Sequence, residues 1–124
     1  MIYHIVAGEM MKKQMQGKFD PIPFNEDMSV GSFVSSPFSD DFIKERSAVH
    51  HVSEEDYSNN MKQFFDVITK LERHDIIHLY FGEDITCLKN RELLISYFIP
   101  RVDTIYLHHM DEYAGKELSN ERIK

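Results

Sequence analysis

Carboxylates that directly follow apolar segments are the residues of this sequence best suited to chemistry. Hard cations such as Mg²⁺ prefer carboxylate oxygens, and carboxylates at neighbouring strand ends can hold such an ion for phosphoryl transfer. The residues that fit this pattern are Glu9, Glu83 and Asp84. They form a hypothetical Mg²⁺ site. The alternative is that they are acids in the first turns of helices, where they complement the helix dipole.

No complete catalytic motif is present. The chain lacks GxGxxG, GxxxxGK[ST], HExxH and GxSxG, so phosphate-cradling loops, zinc-protease helices and hydrolase elbows are not indicated. His108 and His109 are adjacent on an expected strand and should point to opposite faces. Cys87 is the only cysteine, which excludes an internal disulfide and a multi-cysteine zinc site. We therefore assign no catalytic residue.

The spacing of apolar residues predicts alternating strands and helices. Strands are expected at 2–7, 19–24, 76–81 and 104–109, and the prolines at 21 and 23 favour an edge position for the second. Helices are expected at 9–16, 39–52, from 53 to about 73, and 84–99, with Ser39 and Ser53 as N-caps. The serine-rich segment 25–37 reads as a loop.

This order predicts an α/β fold, a small three-layer Rossmann-like unit with a mostly parallel four-stranded sheet flanked by helices. Residues 1–113 would form one domain, and the polar residues 114–124 a C-terminal tail. In open parallel sheets, ligands bind beyond the carboxyl ends of the strands. The segments expected to meet there are Gly8-Glu9, Asn25–Gly31, Gly82–Asp84 and His108–Glu112.

Composition narrows the classes of partner. The 124 residues carry 14 Lys and Arg against 21 Asp and Glu, a net charge of -7, which argues against nonspecific binding of nucleic acid. No apolar run is long enough to span a bilayer, and the N-terminus has no signal-peptide pattern. A soluble, cytoplasmic protein is the expectation, and an exposed sheet edge would allow a homo-oligomer.

Three segments resemble the bacterial family called domain of unknown function 1835. They are MIYHIVAGE at the start, NEDMSVGSF at 25–33 and HLYFGEDITCLKNRELL at 78–94, and the resemblance covers most of positions 1 to 111. Ser32 stands where the family pattern has proline, and Arg46 alone represents its aromatic-plus-arginine pattern. The resemblance implies a bacterial or phage origin and an α/β fold, and no established activity. The positions that match its recurring turns, and so form the candidate ligand site, are Gly8, Glu9, Asp27, Ser29, Gly31, Gly82, Glu83 and Asp84.

Three functions remain open from the sequence. The leading hypothesis is a noncatalytic binding or regulatory module that recognises a small ligand or a protein partner at the carboxyl edge of the sheet. The second is a Mg²⁺-dependent phosphoryl-transfer enzyme that uses Glu9, Glu83 and Asp84. The third is an inhibitor that uses acidic surface to block a basic partner.

Overall fold

The computed structural model describes all 124 residues, Met1–Lys124, as five helices and one five-stranded sheet. The strands are β1 (Ile2–Val6), β2 (Pro21–Pro23), β3 (Ile76–Phe81), β4 (Thr104–Asp111) and β5 (Lys116–Arg122). The helices are α1 (Glu9–Met15), α2 (Asp40–Val49), α3 (Glu54–Asn60), α4 (Lys62–Lys70) and α5 (Ile85–Phe98). The longest helix, α5, has 14 residues, and no helix could span a bilayer.

The sheet has the order β2-β1-β3-β4-β5. The four predicted strands are parallel to one another, which confirms the α/β class and places their carboxyl ends at one edge. The predicted four-stranded sheet is one strand short, because the expected tail contains β5, which pairs antiparallel with β4. A tight turn joins the two, with Gly115 at φ 64 and its amide donating to Asp111 O.

Helices lie on both faces of the sheet. The direction in which the chain crosses from one strand to the next determines which face each helix covers. From β1 the chain moves one way to β2 through α1, and from β2 it returns past β1 to β3 and β4. Right-handed crossovers in opposite directions put their helices on opposite faces. Accordingly α1 packs Met11 and Met15 on one face, whereas α2, α4 and α5 pack Phe42, Phe64 and Leu94 on the other.

The two faces have different chemistry. Ile5, Leu79 and Leu107 point into the larger core under α2–α5 and are at most 5% exposed. On the α1 side the same three strands present His4, His78 and His108, which are only partly buried. The sequences of Ile2–Ala7 and Ile76–Phe81 predict strands that are buried and apolar on both faces, and the histidines on the α1 side correct that expectation. A single short helix, α1, leaves part of the face open.

The helix predicted from residue 53 to about 73 is broken at Met61 into α3 and α4. Asn25 donates its side-chain amide to Asn60 O at 3.0 Å, and Met61 has φ -97 and ψ 4, outside the regular helical range.

The cap predictions are confirmed. Ser39 accepts from the Phe42 amide, and Ser53 accepts from the Asp56 amide.

Candidate functional site

Two clefts open at the carboxyl edge of the sheet, one on each side of the turn that joins β1 to α1. Ala7, Gly8 and Glu9 line both clefts. This turn lies at the point where the chain order reverses, since β2 lies on one side of β1 and β3 on the other. Open parallel sheets bind ligands at such a switch point. The shared turn therefore makes both clefts candidate sites.

The first cleft has a volume of about 710 Å³, which lies within the range of small-molecule sites. Its floor is the end of β2, and its wall is the segment from the end of α2 to the end of α3. Its lining residues are Ala7, Gly8, Glu9, Phe24, Asn25, Glu26, Asp27, His50, Val52, Asp56, Tyr57 and Asn60. Four of the twelve are carboxylates and none is Lys or Arg, so the cleft has a negative lining.

A buried network of polar side chains stands behind the first cleft and is centred on Glu26. Arg46, which is fully buried, donates from Nε to Glu26 Oε2 at 3.1 Å and from Nη2 to Glu26 Oε1 at 2.9 Å. The Tyr57 hydroxyl donates to Glu26 Oε2, and His50 Nε2 lies 2.5 Å from Glu26 Oε1. Both oxygens of the carboxylate are therefore held by donors, which fixes this wall of the cleft.

The network decides which of its members is charged. Burial by itself would raise the pKa of Glu26, but hydrogen bonds from Arg46, Tyr57 and His50 outweigh burial and hold that pKa below its ordinary value. Burial, and then the negative charge of Glu26, raise the pKa of Tyr57. Glu26 is thus a carboxylate matched by Arg46, and Tyr57 is a neutral donor at neutral pH.

Asn90 of α5 holds the loop that follows β2. Its side-chain amide donates to Glu26 O at 2.6 Å, and its side-chain oxygen accepts from the Met28 amide at 2.8 Å. Arg46 adds a bond from Nη2 to Asp27 O at 2.8 Å. Asn90 is fully buried, so these bonds are made away from water. Two helices therefore position the loop that supplies Glu26 and Asp27 to the cleft.

The second cleft, of about 370 Å³, lies between α1 and the start of α5. Its walls are largely apolar and include Met10, Met11 and Tyr113. On its polar side, donor atoms of Asp84, Cys87 and Glu112 lie within 4.8 Å of one another. These three side chains are the ones whose positions could converge on a metal ion. Asp84 is also the N-cap of α5, because its Oδ1 accepts from the Cys87 amide at 2.8 Å.

Asp84 and Glu112 interact as neighbouring carboxyl groups of the second cleft. Their interaction lowers the pKa of Asp84 and raises that of Glu112, so Glu112 is the first of the two to take up a proton as the pH falls. Burial raises the pKa of the Cys87 thiol to about 12. Cys87 is therefore a neutral thiol at neutral pH and not a thiolate nucleophile.

The carboxylates of the Mg²⁺ hypothesis contact three different sets of partners. Glu9 accepts from the Asn25 side chain at 2.9 Å. Glu83 contacts Arg91 at 3.3 Å and His109 at 3.2 Å and lines neither cleft. Asp84 pairs with Glu112 in the second cleft. The structure does not gather the three around a common point, and the cluster that does form contains Asp84 alone of the three.

Some of the other residues of the candidate ligand site line a cleft, and the rest hold or make room for neighbouring residues. Gly8 lines both clefts, and Asp27 lines the first. Ser29 donates its backbone amide to Asp27 Oδ1 at 2.9 Å and so stiffens the loop. Gly31 has φ 65 and lies against Val49, where a Cβ would come within 2.7 Å of a methyl group. A Cβ on Gly82 would overlap the Glu112 carboxylate, so this glycine makes room for it.

Sequence reasoning did not find the buried network. Glu26, Arg46, His50, Tyr57 and Asn90 come from four separate segments, and no spacing rule connects them. One signal was available: Phe42, Arg46 and His50 are four residues apart, so one face of α2 carries a buried phenylalanine and two basic side chains. An arginine on the apolar face of a helix indicates a buried acidic partner.

Comparison of the chain with protein-family models, with curated proteins and with solved structures gives no match. The candidate site is therefore argued from its own geometry.

Proposed function

We propose that this protein is a noncatalytic module that binds a small, positively charged ligand in the first cleft. The observation that carries the proposal is the lining of that cleft: a carboxylate-rich wall, without Lys or Arg, beside a rigid network centred on Glu26. A pre-ordered polar wall lowers the cost of binding because little has to be immobilised when the ligand enters.

The charge of the lining selects the ligand class. Arg46 already neutralises Glu26, which leaves the carboxylates of Glu9, Asp27 and Asp56 for a ligand. Ala7 and Val52, which is 43% exposed, supply apolar surface in the cleft. An amine or guanidinium group with a short carbon chain matches this arrangement, since its charge pairs with the carboxylates and its methylenes contact these apolar side chains. A phosphate would meet repulsion.

A binding role fits the lining better than a catalytic one. The titratable groups of the network are hydrogen-bonded to one another, because both oxygens of Glu26 accept hydrogen bonds and Tyr57 stays neutral. No pair of a nucleophile and a free base lines the first cleft. The arrangement can position a ligand and recognise its charge, which is what a regulatory or carrier module requires.

We also infer that the fold is a truncated Rossmann-like unit and that the chain is related to the domain of unknown function 1835 family. The reversal of strand order at β1 and the two clefts beside it support the first inference. The segments 1–9, 25–33 and 78–94, which contribute the turn, the loop and the start of α5 to the two clefts, support the second.

Three four-carbon probes of different charge test the proposed function. We expect 1,4-diaminobutane to bind with a dissociation constant of about 1 mM or tighter, and 1,4-butanediol and succinate not to bind, in isothermal titration calorimetry at low ionic strength. Binding should weaken as salt is added, because partly exposed charge pairs are screened. Equal heats for the three probes would contradict the proposed recognition of charge.

Two aspartates provide matched variants for this titration. Asp56→Asn removes a carboxylate from the cleft, and we expect it to weaken diamine binding about two- to fivefold. Asp66→Asn makes the same chemical change on α4, where Asp66 pairs with Lys62 and lines no part of the first cleft. An equal loss in both variants would show that overall charge, and not the cleft, governs binding.

A further inference from the structure

Four aromatic rings stack in a row across the open face of the sheet, on the side of α1. From one side to the other they belong to Phe19, His4, His78 and Tyr106, and we call them the ring ladder. Neighbouring ring centroids are 4.1, 4.9 and 4.8 Å apart, and neighbouring planes are inclined by 17°, 26° and 12°. The strand register produces the row, because His4 pairs with His78 and His78 with Tyr106.

Hydrogen bonds tie the histidines of this face together. His78 Nδ1 lies 2.8 Å from His108 Nε2, and His108 Nδ1 contacts the Glu117 carboxylate. His4 Nδ1 lies 2.8 Å from the Tyr80 hydroxyl. Because Glu117 accepts from His108, the bond between His108 and His78 contains one proton.

This geometry limits how many protons the face can accept. One additional charge can reside on His108 beside Glu117, with His78 as the acceptor. A further proton on His78 would put two N–H donors opposite each other at 2.8 Å, which breaks their bond. A charge on His4 would then lie in a ring stacked 4.9 Å from that of His78.

The surroundings of the ladder offer little compensation for these charges. The groups facing the histidines from β3, β4 and β5 are Tyr80, Tyr106 and Glu117, and Arg122 lies over the Tyr106 ring at 5.9 Å. A third cleft, which His4 and Phe19 line, also contains Asp20, Asp66 and Lys70. On the α1 side, the buried groups are the methionines Met11 and Met15. Glu117 is the one carboxylate bonded to this histidine cluster, and it is bonded to His108.

We propose that the ring ladder is an acid-sensitive switch, in which protonation of His4 and His78 drives these two rings apart and loosens the turn between α1 and β2. Phe19 is the outermost ring of the ladder and belongs to that turn, and it stacks on His4 and also on Tyr80, with 5.1 Å between the Phe19 and Tyr80 centroids. Displacement of the His4 ring removes the first of these contacts, and the contact with Tyr80 remains.

The fold favours the neutral forms of His4 and His78, and this preference sets the direction in which stability changes with pH. Burial, and then the nearby histidines, lower the pKa of His78 to about 4, and burial lowers that of His4. The unfolded chain takes up protons at these positions below about pH 6.5, whereas the folded chain does not. Stability from the ladder is therefore complete above that pH and is lost as the pH falls toward 4.

Nuclear magnetic resonance of the whole chain tests the switch, in buffer that contains EDTA. We expect the imidazole signals of His4 and His78 to titrate below the ordinary histidine value of about 6.5, with that of His78 near 4. The nuclear Overhauser contact between the His4 and His78 rings should disappear over the same pH range. Titration of His4 and His78 near the ordinary histidine value would overturn the proposal. So would a His4–His78 contact that persists after both have titrated.

Urea unfolding of two variants gives an independent test. For the wild type, His78 alone should raise the unfolding constant about tenfold between pH 7.5 and pH 5.5, because the unfolded histidine gains a proton in that interval. His78→Phe keeps a stacking ring and should lose this tenfold change. His74→Phe, at a position whose side chain is 74% exposed, should keep it. Equal pH dependence in His78→Phe and the wild type would overturn the switch.

Discussion

At the residue scale, the pair of Glu26 and Arg46 is the most consequential feature of the molecule. Both side chains are completely removed from solvent. Burying two charges is costly, and a buried pair contributes little net stability relative to apolar residues of the same volume, whereas breaking such a pair is strongly unfavourable. The pair is therefore better explained by the position of the loop that it fixes than by stability.

Arg46→Met tests this account of the pair. The substitution leaves the Glu26 carboxylate buried with Tyr57 and His50 as its remaining side-chain donors. We expect the free energy of unfolding to fall by about 3–5 kcal/mol, measured by urea denaturation at pH 7. The double variant Glu26→Gln with Arg46→Met removes both charges and should recover part of the loss. A double variant no more stable than Arg46→Met would contradict the argument.

The interaction between Asp84 and Glu112 predicts a second effect at this scale. Because the pKa of Glu112 is raised in the fold, its contribution to stability is complete at low pH and is lost as the pH rises through that pKa. Glu112→Gln replaces the titrating donor with an amide that always donates. We therefore expect the stability of the variant relative to the wild type to increase between pH 4.5 and pH 7.

Urea unfolding of both proteins at several pH values measures this difference, and titrating groups that do not interact with Glu112 cancel in the comparison. A difference between variant and wild type that does not change with pH would show that the fold does not raise the pKa of Glu112.

At the element scale, the sequence predicts the strands and helices of the parallel unit well. The apolar segments at 76–81 and 84–99 correspond to β3 and α5 within one or two residues. The missed strand, β5, is exposed along its whole length, so it has no apolar face and hence no alternating pattern to detect. At the break before Met61, Asn60 O accepts a hydrogen bond from the side chain of Asn25, which comes from a distant segment.

The loop after β2 depends on α5 through Asn90. Asn90→Leu removes the partners of Glu26 O and the Met28 amide, and a leucine of similar volume fills the space. We expect amide hydrogen exchange at Met28 to become at least about tenfold faster, since one bond to a buried amide contributes about 1.4 kcal/mol or more. Exchange in β3 should change much less. Uniform acceleration in both segments would indicate general destabilisation in place of a local loosening of the loop.

At the scale of the whole molecule, the parallel order of β1 to β4 brings separate loops to one edge. The sequence predicts that edge, and Gly8, Glu9, Asp27 and Asp84 do line the clefts there. It does not predict which carboxylates meet, because side-chain direction depends on partners such as Arg91 and His109, which draw Glu83 away. It also misses the histidine row, which exists only once three strands are in register.

The most direct test of the central claim is to map where a small cation binds on the whole chain. With 1,4-diaminobutane added to ¹⁵N-labelled protein, we expect amide shift changes at Gly8, Asn25, His50 and Asn60, the residues that surround the first cleft. Asp103, at the opposite edge of the sheet, should not respond. Changes confined to the first cleft would support a cation-binding module. Changes spread over all acidic surfaces, or none at millimolar probe, would contradict it.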